Sequence, residues 1–74
     1  MTNLSWDQTI KQLLRDTIAT ARSEGRDEAD EVEAVVRSNH LSRRHRRRAR
    51  GFLRRLGSAA AADRLLVMDQ ARRE

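Results

Sequence analysis

Residues 42–57 read SRRHRRRARGFLRRLG, with eight arginines between Arg43 and Arg55 and no acid among them. On a helical projection at roughly 100° per residue, Leu41, His45, Ala49, Phe52, Leu53 and Leu56 fall within about 120° of arc. Arg43, Arg44, Arg46, Arg47, Arg48, Arg50, Arg54 and Arg55 occupy the remaining arc of roughly 200°. One helix would thus carry an apolar side and a cationic side. An apolar stripe of this kind is stable only when buried against other elements, so the segment implies a bundle around it.

The neighbouring segments supply the partners. Gly57 ends this helix, and Ser58 starts a further one whose Leu65, Leu66, Val67 and Met68 define no single face. Three roles stay open for that last helix: capping the bundle, self-association, or fraying toward Arg72, Arg73 and Glu74. Upstream, continuing one helix from Asp27 to Leu56 would aim the stripe of Ala29, Val32, Val35 and Val36 away from that of Leu41, Ala49, Phe52 and Leu56. A turn at Ser38 to Leu41 reconciles the two, with Asn39 or Ser42 as the N-cap of the arginine helix. The second helix begins near Asp27, where Glu28, Asp30 and Glu31 place negative charge at the positive end of the helix dipole. The first begins at Ser5, where Ser5 and Gln8 form a capping box. It carries Ile10, Leu13, Leu14, Ile18 and Ala21 on one face and stops at Gly25. Trp6 reads as a core anchor through Ile10.

These elements give an all-α fold class, a small bundle of three or four short helices at about 5–24, 27–38, 42–56 and 58–72 in a single domain, 1–74. Absence of proline and the abundance of Ala, Leu, Arg and Glu agree with it. A chain of 74 residues buries only about 60% of its unfolded surface, so its core is small. There is no cysteine, which excludes disulfides, thiolate metal sites and thiol nucleophiles. No apolar run has the length of a membrane span, and the expected setting is intracellular, cytoplasmic.

The formal charge of +5 is unevenly distributed. Residues 24–37 carry six acids and two bases, whereas residues 38–57 carry eight arginines and no acid. Codon bias would account for arginine in place of lysine, but not for its gathering. Like charges at three-and-four spacing repel, and a polyanion relieves that repulsion with release of condensed counterions. The arginine face therefore points to nucleic acid held through its phosphates, and the eight arginines are the candidate contacts. A helix-turn-helix reader of DNA fits poorly, because Arg44, Arg47 and Arg48 lie where such a helix needs apolar anchors. Apart from Ser42 the segment also lacks the small polar side chains that read base edges.

The segment SRRHRRRARGFLRRL resembles the arginine-rich RNA-binding motifs of lambdoid-phage antiterminators over about a fifth of the chain. The resemblance implies RNA somewhat ahead of DNA as partner. It also implies a small factor in transcription regulation or antitermination that joins RNA or RNA polymerase to another surface. The alternative is a protein-interaction inhibitor or adaptor whose arginines dock on an acidic surface of a polymerase or nuclease complex. No membrane partner is expected.

Catalytic constellations are missing: no Ser-His-Asp set, glycine-rich phosphate loop or carboxylate pair stands out, so the chain reads as a binding module and not an enzyme. His40 and His45 lie on different helix faces with no completing ligand, which argues against a metal site, and no cofactor is implied. His45 reads as a packed histidine on the apolar arc. The acids between Glu24 and Glu33 lack the loop pattern of a calcium site. They instead raise an autoinhibitory possibility, in which they fold against the arginine face and compete with nucleic acid.

Overall fold

Four α-helices follow in chain order: α1 (Trp6–Glu24), α2 (Glu28–Ser38), α3 (Arg43–Arg55) and α4 (Ala59–Arg72). They belong to a computed structural model that describes residues 6–72, with side chains described for residues 8–71. The expected capping box at Ser5, the packing of the Trp6 side chain, and any fraying at Arg73 and Glu74 lie outside the described residues.

Local chemistry sets the helix boundaries. The Asp27 carboxylate accepts the Asp30 N–H at 2.9 Å, which fixes the start of α2. Ser42, rather than Asn39, caps α3, and its hydroxyl accepts the His45 N–H at 3.2 Å. Three helices end in residues with positive φ: Gly25 at 69°, His40 at 51° and Gly57 at 81°. Each reverses the chain so that the amide of the next residue reaches back to an orphan carbonyl. Arg26 N–H donates to Ala21 O at 2.8 Å, Leu41 N–H to Val36 O at 3.2 Å and Ser58 N–H to Leu53 O at 2.9 Å. The turn between α2 and α3 contains no glycine, so His40 takes the left-handed conformation at a steric cost. Leu41 and Val36, which flank that turn, are both buried in the core, and this apolar contact helps to hold it.

The core collects Ile10, Leu14 and Ile18 from α1, Val32 and Val36 from α2, Leu41, Ala49 and Leu53 from the arginine segment, and Ala61, Ala62 and Leu65 from α4. Phe52, Leu56 and Met68 pack against it. α1 packs against α2 and α3, and α4 packs against the same two helices, so the four close a ring. The buried positions of α4, Ala61, Ala62, Leu65 and Asp69, do share one face at three-and-four spacing, but most of them are small or polar, while Val67 lies exposed off that face. α4 therefore closes the bundle. Among the described residues Val67 is the one large hydrophobic left exposed, at 56%.

Candidate nucleic-acid interface

The ring of helices gives α3 two flanks, α1 on one and α4 on the other, and turns its remaining side to solvent. Arg43, Arg44, Arg47, Arg48, Arg54 and Arg55 are exposed there, and Arg50 is half-buried at the α4 edge. Arg46 is a correction to the eight-residue expectation. It is 5% exposed; its Nε and Nη2 each lie 2.7 Å from Asp69 Oδ1, and its Nη1 donates to Leu41 O at 2.6 Å. The physical reason lies in the projection: Arg46 sits only about 20° beyond Leu53, so the contact with α4 that buries Leu53 also covers Arg46. Asp69 of α4 then supplies the counter-charge that makes burial tolerable. Arg46 fixes α3 to α4 and is not part of the solvent-facing set.

Where the acids go decides the electrostatics of the remaining seven. Glu28 pairs with Arg22 at 2.9 Å, Glu31 with Arg26 at 3.7 Å, and Glu33 with Arg37 at 2.8 Å. Arg64 of α4 bridges Asp30 and Glu33, each at 2.8 Å. Arg22 holds the Glu28 carboxyl below the usual carboxylate range, and Arg64, assisted by Arg37, does the same for Glu33. The acidic block is thus engaged by arginines outside α3. This overturns the autoinhibitory arrangement, because none of those carboxylates reaches the arginine face. On α3 itself, Arg54 has a loose exposed pair with Asp63 at 3.8 Å, a geometry worth little. Arg43, Arg44, Arg47, Arg50 and Arg55 have no carboxylate within ion-pair distance among the described residues.

The α1 flank adds residues that the linear pattern did not single out. A groove of about 320 Å³ runs between α1 and α3, floored by Ile10, Leu14, Ala49 and Phe52 and bordered by Lys11, Arg48, Gly51 and Arg55. Lys11 Nζ lies 5.8 Å and the Arg15 guanidinium 5.6 Å from the Phe52 ring centroid, both at cation–π distance. The positive surface therefore continues from α3 onto α1. One signal was available: Lys11 and Arg15 are four apart on the polar side of the first helix. Which helix they would face was not readable from one segment. His45, expected to be packed, is half-buried in the wall of this groove, with Nδ1 2.9 Å from Ser42 Oγ.

Among the described residues no group of three or more His, Asp or Glu side chains is arranged to hold a metal ion, and no helix is long and apolar enough to cross a membrane. No family model, no curated protein and no solved structure matches the chain.

Proposed function

We propose that the chain is a nucleic-acid-binding accessory or regulatory protein whose arginine face on α3 holds phosphates through Arg43, Arg44, Arg47, Arg48, Arg50, Arg54 and Arg55. One observation carries the reading: cations crowd one solvent-facing helix side while the acids of α2 are engaged elsewhere. Among the described residues, Arg43, Arg44, Arg47, Arg50 and Arg55 meet no carboxylate at ion-pair distance, and Arg54 has only the loose pair to Asp63. To the repulsion among these arginines Arg43 and Arg44 add a further term, since they stand in the first turn, at the positive end of the α3 dipole. A polyanion relieves both terms, and each arginine it engages releases counterions. The guanidinium fork suits phosphate oxygens, and no catalytic step enters the reading. A role in transcription regulation or antitermination is the process we assign to it.

Fluorescence anisotropy with duplex DNA, an RNA hairpin and heparin, repeated between about 50 and 200 mM salt, tests the proposal. Affinity should fall steeply with salt. Replacing Arg43, Arg44 and Arg47 together with alanine should lower the log–log salt slope by roughly two to three while leaving the circular dichroism of the bundle unchanged. No binding of either nucleic acid near about 150 mM salt rejects it. The apolar floor of the α1–α3 groove favours a second reading, an adaptor docking on an acidic protein surface of a polymerase or nuclease complex. Nuclease treatment of a native pull-down separates the two: a partner that stays bound supports the adaptor, and one that is released supports nucleic acid.

A further inference from the structure

The arginines of α3 form two rows. Arg43, Arg47, Arg50 and Arg54 follow one another at intervals of four, three and four residues, and Arg44, Arg48, position 51 and Arg55 repeat the same intervals one residue later. The second row has glycine where the pattern would place arginine. At roughly 100° per residue the two rows centre about 110° apart, and Gly51 projects within about 15° of the midline between their arginines. Gly51 is exposed, and a Cβ there would meet nothing within 4 Å. Its backbone is outside the positive-φ region where glycine is favoured. Neither packing nor backbone conformation therefore requires glycine, although glycine inside a helix is less stable than alanine by about 1 kcal/mol.

We infer that Gly51 is a notch, and that α3 lies in the wide groove of a B-form DNA duplex with its arginine rows reaching the phosphates on either side. This rests on the nucleic-acid reading and narrows it. The dimensions agree. From Arg43 to Arg54 the helix rises about 17 Å, and an α-helix with side chains, about 10–12 Å across, matches a major groove about 12 Å wide. A helix inserted in that way turns the midline of its exposed side to the base edges. A long side chain there would hold the backbone away, whereas glycine lets both rows sink to the level of the phosphates. The A-form groove of duplex RNA is too narrow and deep to admit a helix in this manner. Without Asn or Gln on this face, the groove is recognised mainly by shape and charge.

Gly51→Arg separates the notch from simple charge attraction, because it adds a cation while filling the gap. Gly51→Leu fills it without adding charge. Gly51→Leu should raise thermal stability, since leucine has a higher helix propensity than glycine, so weaker binding by that variant cannot be ascribed to unfolding. In Gly51→Arg the propensity gain is offset by repulsion from Arg47, Arg48, Arg54 and Arg55 at three-and-four spacing, so its helix content is checked by circular dichroism. Anisotropy titrations would compare wild type and both variants on duplex DNA, an A-form RNA duplex, single-stranded DNA and heparin at one salt concentration. The expected result is a loss of roughly tenfold in duplex-DNA affinity for each variant, with heparin and single-strand affinity unchanged for Gly51→Leu and increased for Gly51→Arg. If Gly51→Arg binds duplex DNA more tightly than wild type, or if wild type prefers A-form RNA or single strands, the groove assignment is overturned while the nucleic-acid reading stands. If wild type binds no nucleic acid, that reading itself fails.

Discussion

Replacing Arg46 with alanine leaves the Asp69 carboxylate, 9% exposed, buried without a counter-charge and the Leu41 carbonyl without its donor. Breaking a buried pair in this way costs about 3–5 kcal/mol, a large part of the stability expected of so small a domain. Arg47→Ala should change stability by less than about 0.5 kcal/mol, because its side chain is exposed. Urea denaturation of the two variants reads this difference directly. The double variant Arg46→Met, Asp69→Leu should recover most of the loss, since an apolar pair of similar volume removes the buried charge altogether. The projection of α3 could not distinguish Arg46 from its neighbours. It lies at the edge of the apolar arc, and the partner that draws it inward is 23 residues away.

At the scale of elements, the helices with one broad stripe were legible and the others were not. Ile10, Leu14, Ile18 and Ala21 of α1 are buried as their spacing implies, and so are Ala49 and Leu53 of α3. α4 was unreadable as a face because its buried positions hold Ala61, Ala62 and Asp69 beside Leu65, while Val67 lies exposed off that face, so hydrophobic contrast did not mark the stripe. The turn between α2 and α3 was placed only by the mismatch of two stripes, since His40 gives no glycine signal. Its positive φ of 51° makes a clear expectation. His40→Gly should raise the melting temperature, with a gain of up to about 1 kcal/mol, because glycine enters this conformation without the steric penalty. Differential scanning calorimetry would register it, and an unchanged or lower melting temperature would show that the imidazole stabilises the turn by contacts of its own.

For the whole molecule, the charges form two populations. Arg22, Arg26, Arg46 and Arg64 tie neighbouring segments together through carboxylates, Arg37 pairs with Glu33 within α2, and the α3 face supplies most of the rest. Glu28 and Glu33 titrate below the usual carboxylate range in the folded state. Their contribution is complete above the unfolded carboxylate pKa and is lost as pH falls through the lowered folded values. Melting temperature should therefore be flat near neutrality and decline from about pH 5 downward. The decline should be modest, because these pairs are partly exposed and screened. Arg64→Ala should flatten it, which a series of thermal melts against pH would reveal. The sequence exposed the excess of positive charge and its location, but not its division into structural and available arginines. That division depends on which acids the ring brings within reach.

The bond between Arg46 and Asp69 also places different demands on different positions as the sequence drifts. Positions 46 and 69 are expected to vary jointly, with a pair surviving only in combination, and a library randomised at both should retain matched charges or two apolar residues. On the proposed phosphate-binding role, Arg43, Arg44 and Arg47 are expected to answer to a looser rule: lysine should replace any one of them, provided that the face keeps its charge. A lineage could thus rewrite much of this helix while its single inward-facing arginine stays coupled to a residue near the far end of the chain.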